Sequence, residues 1–269
     1  MKQARALSFI DIPQRSSKPR SVGLTLARDL GYGYTEAESW VEAVGEFIDF
    51  VKMRHLFTLL MTEDKNDLVR RKISLYRSHD IDVNPGGIVF EMAVLSQCVP
   101  QTFRKLVELG FTAVEISENI IEMQLNEKID YIKMAKDVGL KVLFEVGDKY
   151  PTNAFDVEIA ASDINHMTEV GCDLCILERS QIELCLGPQA SSTEAFRLRR
   201  LVELVGLEKI VFEAEATVHL VWLFKTFGPD VNVGPNLDRD VIAKLEPTRR
   251  TLSREGGYDY LIERVKSRA

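Results

Sequence analysis

Residues 139–149 read GLKVLFEVGDK, and this stretch contains the unit from which the fold is built. A glycine, the residue that most readily ends a helix, precedes an apolar run rich in strand-forming side chains. The run ends near Glu145 and is followed by another glycine. The same order of helix, glycine and apolar run recurs around Gly110, Gly171 and Gly206, which indicates a repeated βα unit.

Eight apolar runs alternate with helical patterns, and the helical segments are long enough for parallel crossovers. The predicted strands cover residues 21–26, 47–53, 81–84, 113–117, 141–146, 174–178, 209–213 and 231–234. A length of 269 residues is typical of one eight-stranded barrel, and no GxGxxG turn follows the first run. We therefore predict the α/β class and a single (β/α)₈ TIM barrel domain over residues 1–269, with an N-terminal arm at 1–20 and a C-terminal extension at 251–269.

The overall charge and hydropathy exclude some classes of partner. A formal net charge of -7 argues against nucleic acid, because binding to phosphates requires a cationic face. No apolar run approaches the roughly 20 residues that span a membrane, and no signal-peptide pattern is present, so we expect no membrane partner and a cytoplasmic location. The basic stretch at 15–20 is either a solvated arm or part of an anion site.

Two of the four cysteines, Cys172 and Cys175, have CxxC spacing. No second pair accompanies them, and they lie where an apolar strand begins. A structural role for these thiols is therefore favoured over a metal or redox role.

Four consecutive predicted strands carry a glutamate at or near their carboxyl end, which is the most informative feature of the sequence. They are Glu115, Glu145, Glu178 and Glu213. In a (β/α)₈ barrel the functional residues lie at the carboxyl ends of the strands, so these side chains should meet at one end, the mouth of the barrel. A carboxylate there is costly unless it is paired, hydrogen-bonded or bound to metal.

Two explanations for these carboxylates remain open. Salt bridges could neutralise them, but only three obvious basic partners lie nearby in the sequence, namely Lys52, Lys149 and Arg179. Clustered oxygen ligands also suit a hard ion such as Mg²⁺, which takes one or two protein carboxylates and completes its shell with water and substrate.

The eighth predicted strand ends with Asn232 and Gly234, in a segment that continues Pro235-Asn236. Barrels often hold phosphate after strands seven and eight, where backbone N–H groups at a helix start face the ligand. A segment of this composition can equally be an ordinary turn.

Ordered motifs along the chain resemble those of the phosphosulfolactate synthase family. They are Lys18-Pro19-Arg20 with Gly23-Leu24-Thr25, Ile48-Asp49 with Lys52, Tyr76-Arg77-Ser78-His79, Pro85-Gly86-Gly87 with Phe90-Glu91, Gly110-Phe111 with Glu115 and Ser117, Glu145-Val146-Gly147, Glu178, Phe212-Glu213-Ala214, and Gly228-Pro229 with Val231-Asn232 and Gly234. The resemblance extends from about residue 18 to about residue 245. It implies a barrel enzyme that adds sulfite to phosphoenolpyruvate, with Mg²⁺ as cofactor, to give phosphosulfolactate.

The resemblance also implies roles for individual residues. Lys149 resembles a family lysine that protonates C2, and Lys18, Arg20 and Lys52 would neutralise phosphate or sulfite. The predicted catalytic residues are Lys149, Lys52 and Glu115; the predicted substrate-binding residues are Lys18, Arg20, Ser117, Arg179, Asn232 and Gly234; the predicted Mg²⁺ ligands are Glu145, Glu178 and Glu213.

The chain departs from the family pattern where substrate should bind. The family has a small, glycine-rich stretch after the lysine of strand two, whereas residues 53–57 here are the bulkier Met-Arg-His-Leu-Phe. Residues 179–182 also differ. A different nucleophile or phosphorylated acid, or a non-catalytic relative with a protein-maintenance or interaction role, therefore remains an alternative. The apolar segment 217–227 indicates either a homo-oligomer, which we expect, or additional core packing.

Overall fold

The computed structural model describes residues 5–188 and 190–267, and strands and helices alternate along this part of the chain. The strands are β1 (Thr25–Asp29), β2 (Phe50–Met53), β3 (Asp82–Asn84), β4 (Ala113–Ile116), β5 (Lys141–Val146), β6 (Leu174–Leu177), β7 (Ile210–Phe212) and β8 (Asn232–Leu237). The helices are α1 (Tyr34–Val44), α2 (His55–Leu59), α3 (Leu68–Arg77), α4 (Gly87–Leu95), α5 (Val99–Leu109), α6 (Leu125–Asp137), α7 (Val157–Val170), α8 (Arg179–Leu186), α9 (Ser192–Val205), α10 (Thr217–Phe227), α11 (Arg239–Arg249) and α12 (Asp259–Lys266). Residues 1–4 of the predicted arm and 268–269 of the predicted extension lie outside the described residues.

The strands form one parallel sheet in the order β3-β2-β1-β8-β7-β6-β5-β4. β3 and β4 stand at the two ends of this order, and Thr112 joins them. Its N–H donates to the Val83 carbonyl at 3.0 Å, and its Oγ1 accepts the Val83 N–H at 2.9 Å. We call this junction the β3–β4 seam. The predicted (β/α)₈ TIM barrel is confirmed.

Apolar side chains from most of the strands fill the inside of the barrel, and they form a cluster separate from the larger core under the helices. The inner cluster is Leu24, Leu26, Phe50, Ala113, Leu143, Leu174, Ile176 and Val211. Because strand side chains alternate between the two faces, the residue two positions beyond an inner residue also faces inward. Four of those positions, beyond Ala113, Leu143, Ile176 and Val211, are glutamates. The alternation therefore places these carboxylates directly above the inner apolar layer.

The predictions for the first and last strands were wrong at their carboxyl ends. β1 runs to Asp29 and not to residue 26, and β8 continues to Leu237 through a segment that has the composition of a turn. Gly234 explains the second error, because a Cβ at this position would lie 2.2 Å from the Leu26 carbonyl oxygen. A glycine here lets β8 approach β1 closely, so the strand continues. Asn232 consequently begins β8 instead of ending it.

The described part of the N-terminal arm packs against the end of the barrel opposite the mouth. Arg20 pairs with Asp49 at 2.8 Å, and Asp49 directly precedes β2 while its other oxygen accepts the Thr25 N–H at 2.8 Å. Arg15 pairs with Glu246 of α11 at 2.5 Å. Lys18 donates to two backbone carbonyls at the same end, those of Gly45 and His79. The arm is therefore fastened to the barrel by buried ion pairs.

Helix α10 contributes His219, Leu220, Leu223 and Phe224 to the buried interior. Much of its apolar character thus serves core packing, and the predicted homo-oligomer stays a prediction. Cys172 and Cys175 are buried and unoxidised, with their sulfur atoms 4.0 Å apart. No helix among the described residues combines the length and the apolar character needed to cross a bilayer.

Candidate active site

Three carboxylates converge at the carboxyl ends of three adjacent strands. Glu145 ends the inner row of β5, and Glu178 and Glu213 follow β6 and β7 directly. One carboxylate oxygen from each lies within 4.8 Å of the others. We call this group the carboxylate cluster. Its members are the three predicted metal ligands, which the structure brings together.

Burial raises the pKa of two members of the cluster. The pKa of Glu145 rises to about 7 and that of Glu178 to about 9, first because both are buried and second because neighbouring carboxylates repel their charge. Glu178 is 3% exposed, and its Oε2 has no hydrogen-bond partner among the described residues. At neutral pH the cluster therefore requires either protons or a cation.

The three basic residues nearest in sequence have other partners. Lys52 pairs with Glu115 at 3.2 Å, and the Arg179 side chain pairs with Glu183 and Glu215. The Lys149 ammonium donates to the Asn119 side chain. None of the ion pairs found within residues 5–188 and 190–267 neutralises the cluster, so salt bridges do not explain it.

The cluster fits a magnesium ion by the chemistry of its donors. Mg²⁺ prefers carboxylate oxygen, and it binds through one or two protein carboxylates while keeping water and substrate in its shell. Glu145 and Glu178 supply oxygens that burial leaves poorly solvated, and the unpartnered Glu178 oxygen is available to a cation. Glu213 is held in place by the Asn236 amide and by the Arg179 backbone N–H at 3.3 Å.

Glu115 organises a second group beside the cluster. It accepts the Lys52 ammonium at 3.2 Å, the Gly87 N–H at 3.0 Å and the Asn84 amide at 3.4 Å. Burial lowers the pKa of Lys52, but Glu115, Glu213 and Glu145 together raise it by more, so the net shift is upward. Lys52 is therefore a fixed cation at neutral pH and not a base.

The turn after β3 fits closely over β4. A Cβ on Gly87 would lie 2.2 Å from the Ser117 hydroxyl oxygen, so only glycine allows the start of α4 to reach this position. This close approach lets the Gly87 N–H reach Glu115. Ser117 itself is fully buried beneath the turn and donates to Glu91.

Glu91 of α4 arranges the loop that follows β4. Its carboxylate is fully buried and accepts the Asn119 amide at 2.6 Å and the Ile120 N–H at 2.9 Å. A carboxylate accepts hydrogen bonds but does not donate them, so it fixes which end of the Asn119 amide faces it. The Asn119 carbonyl oxygen is left to accept the Lys149 ammonium. Glu91 thus orients Lys149 through one intervening side chain.

These groups open into a cavity of about 220 Å³ at the mouth. Its walls include Lys52, Glu115, Glu145, Lys149 and Glu213 together with Arg28, Arg54, His55, Asn119 and Asn236. Our sequence interpretation did not assign Arg28 and Asn236 to the site, because the ends of β1 and β8 had been placed too early. With both strands extended to their true ends, alternation along the strand would have identified these two positions.

Several predicted substrate ligands lie away from this cavity. Lys18 and Arg20 are at the opposite end of the barrel. Asn232 stands at the start of β8, where its side chain accepts a hydrogen bond from the Leu24 N–H and donates one to the Ile210 carbonyl. Gly234 is inside that strand, and Arg179 is half-exposed on the rim. None of these five residues lines the cavity. Four of them lie away from the mouth, and Arg179 reaches only its rim, so the placement predicted for them is corrected.

The family model of (2R)-phospho-3-sulfolactate synthase (ComA) matches residues 13–255. The chain belongs to this family. Phosphosulfolactate synthase from Methanothermobacter thermautotrophicus is 31% identical over 244 residues, covering 89% of this chain and 93% of the relative. A second relative has a different description: Protein HEAT-STRESS-ASSOCIATED 32 from Arabidopsis thaliana is 24% identical, covering 90% of this chain and 91% of the relative.

A solved structure supports the barrel independently of the phosphosulfolactate synthase family. The tryptophan synthase α-subunit of Pyrococcus furiosus, in a mutant form, superimposes with a TM-score of 0.52. It covers 88% of this chain and 96% of that subunit at 11% sequence identity. This likeness concerns the fold alone.

Proposed function

We propose that the chain is a phosphosulfolactate synthase that adds sulfite to phosphoenolpyruvate, with Mg²⁺ held by Glu145, Glu178 and Glu213. The single observation that carries the proposal is the convergence of these carboxylates, within 4.8 Å of one another, in a member of this family. Lys52 and Lys149 line the same cavity and supply positive charge for anionic substrates.

The reaction forms a C–S bond at the methylene carbon and a C–H bond at C2, and it breaks the π bond between these two carbons. The sulfur lone pair of sulfite attacks the methylene carbon of phosphoenolpyruvate, and the π electrons of the double bond move toward C2 and the carboxylate. A proton then adds to C2. A bound Mg²⁺ would supply positive charge that stabilises the negative charge developing on the substrate carboxylate.

Different residues of the chain would supply the proton, the positive charge and the orientation of the cluster. Lys149, oriented by Asn119, holds a proton on Nζ for delivery to C2. Lys52, fixed by Glu115, remains protonated and offsets the repulsion between the two anionic substrates. Asn236 and the Arg179 backbone hold Glu213 in place. Binding, orientation and proton transfer thus come from different strands of the barrel.

Two alternatives each have an observation behind them. The bulky segment 53–57 contributes Arg54 and His55 to the cavity, which favours a different nucleophile or phosphorylated acid at the same site. The Arabidopsis relative favours a non-catalytic role, since its description names heat stress and no reaction.

One experiment separates the three possibilities. The full chain is incubated with phosphoenolpyruvate, sulfite and Mg²⁺, and the products are followed by ³¹P NMR and mass spectrometry. Phosphosulfolactate, formed by the parent and not by Glu213→Gln, supports the proposal. Metal-dependent binding of phosphoenolpyruvate without product supports the altered reaction, and absence of both supports the non-catalytic role.

A further inference from the structure

The mouth of the barrel has two halves of opposite charge. In the closed order of strands, β1 and β2 lie across the barrel from β5 and β6. The carboxylate cluster occupies the half formed by β5, β6 and β7. Four basic side chains line the cavity from the β1–β2 half: Arg28, Lys52, Arg54 and His55. A ligand that spans the mouth therefore meets a carboxylate half and a basic half.

Two of these four basic side chains already have a carboxylate partner in the protein. Lys52 pairs with Glu115 at 3.2 Å, and Arg28 pairs with Asp238 at 2.6 Å. Lys52 and Arg28 therefore have an acidic partner without a bound anion.

Arg54 and His55 differ from them. Within residues 5–188 and 190–267, neither side chain has a hydrogen bond or an ion pair with another residue. Burial first, and then the positive charges of the nearby Arg54 and Lys52, lower the pKa of His55. No carboxylate raises the pKa of His55 in return.

The backbone that carries this pair is fixed. The Arg54 N–H donates to the Asp29 carbonyl at 3.1 Å. The Asp29 carboxylate is fully buried and accepts the Lys72 ammonium and the Tyr76 hydroxyl, each at 2.7 Å. The backbone at the start of the segment 53–57 is therefore held against a buried part of the barrel, at the edge of the cavity.

We propose that Arg54 and His55 form an anion subsite that takes the phosphoryl group of the substrate while the carboxylate end faces the carboxylate cluster and its metal. The guanidinium offers paired N–H donors that match phosphate oxygens, and the imidazole adds a further donor. The ligand class is a small carboxylic acid that carries a phosphate monoester. The identity of the acid rests on the proposed function, whereas the binding of an anion rests on the two unpaired basic side chains alone.

The test measures binding separately from catalysis. Inorganic phosphate is titrated into the full chain with ³¹P NMR and calorimetry, without sulfite, for the parent, Arg54→Gln and His55→Gln. Arg104→Gln on α5 is the matched control, because Arg104 is also exposed and unpaired in the described chain but lies outside the cavity. We expect the Kd for phosphate to rise about tenfold in Arg54→Gln and less in His55→Gln, with no change in the control.

Bound phosphate should also raise the pKa of the His55 imidazole, followed by its NMR titration. An unchanged Kd in Arg54→Gln, or no shift at His55, would overturn the subsite. The same variants assayed with phosphoenolpyruvate keep the two proposals apart. If Arg54→Gln weakens phosphate binding but the parent makes no sulfonate, the proposed function alone is wrong. If the parent makes sulfonate and Arg54→Gln has an unchanged KM for phosphoenolpyruvate, the subsite alone is wrong.

Discussion

At the scale of the single residue, the carboxylate cluster lowers the stability of the folded chain, because it holds buried carboxylates close together. Glu178 is nearly inaccessible and has an unpartnered oxygen, so its charged form gains little from water or from the protein. Alternation along the strands keeps the three side chains pointing inward, where they cannot move apart. A bound divalent cation would remove this cost, because it would supply the charge that the surrounding residues lack.

The raised pKa of Glu178, about 9, predicts how stability depends on pH. An unfolded glutamate titrates near 4.3, so between these values the folded form holds a proton that the unfolded form has lost. The stability of the metal-free chain should therefore fall as pH rises from about 5 to 9, and Mg²⁺ should restore it.

The variant Glu178→Gln should melt at a higher temperature than the parent at pH 8 without metal, and Mg²⁺ should no longer raise its Tm. Thermal unfolding with and without Mg²⁺ measures both effects. Glu38→Gln, on an exposed position of α1, is the control. If Mg²⁺ stabilises Glu178→Gln as much as the parent, Glu178 is not a ligand.

Lys149 provides the second prediction at this scale. Replacing it by alanine should lower kcat by roughly a hundredfold or more, since general acid catalysis contributes on the order of 10² to 10⁴ in rate. The KM for phosphoenolpyruvate should change much less. Steady-state kinetics on Lys149→Ala and on the exposed control Lys133→Ala measure the difference. A change confined to KM would assign Lys149 to substrate binding instead.

At the scale of secondary-structure elements, α4 determines the shape of the loop after β4. The fully buried Glu91 holds that loop, and through Asn119 it orients Lys149. We expect Glu91→Gln to lower kcat severalfold or more with little change in KM, because a glutamine can present an N–H where Asn119 needs an acceptor.

The pH profile of kcat distinguishes this effect from general destabilisation. Loss of orientation should change the shape of this profile, whereas a loss of stability alone, about 1–3 kcal/mol for the unmade hydrogen bonds, leaves the shape unchanged. An unshifted profile with normal kcat would limit Glu91 to a structural role.

Arg20 belongs to the other end of the barrel, where the N-terminal arm is fastened. Its pair with Asp49 is buried, so Arg20→Ala leaves a carboxylate uncompensated and should cost about 3 kcal/mol of unfolding free energy. The KM for phosphoenolpyruvate should not change. Chemical denaturation and kinetics test the two parts, and a raised KM with unchanged stability would return Arg20 to the substrate site.

The contrast between these two ends explains how far the sequence could be interpreted. The period of two along each strand located the four inward glutamates correctly, because an apolar residue two positions earlier marks the inner face. Lys18 and Arg20 lie in an irregular arm, where no such period indicates which end of the barrel they reach. Asn232 was misplaced because Gly234 and Pro235 have turn composition, while the close approach of β1 that keeps them in the strand is a tertiary contact.

At the scale of the whole molecule, strand order is what gives the mouth its two charged halves. Residues that are distant in sequence, such as Arg54 and Glu178, line opposite sides because the sheet is closed. The order follows from simple βα repetition, but the partners of each cation depend on loop conformation. The sequence therefore predicted the barrel, its acidic half and the unusual segment 53–57, while the absence of partners for Arg54 and His55 among the described residues became apparent only in three dimensions.

The β3–β4 seam has a consequence for motion. The strands there are joined through Thr112, and at the mouth Glu115 of β4 holds Lys52 of β2 and Asn84 of β3. A substrate that binds Lys52 is therefore linked, through Glu115, to both strands of the seam. This seam is the junction with the weakest hydrogen bonding in the sheet. Amide protons of β3 should exchange with deuterium fastest among the strands in the free protein, and more slowly once phosphoenolpyruvate and Mg²⁺ are added. Equal exchange rates in both states would mean that substrate binding does not change how often β3 and β4 separate at this junction.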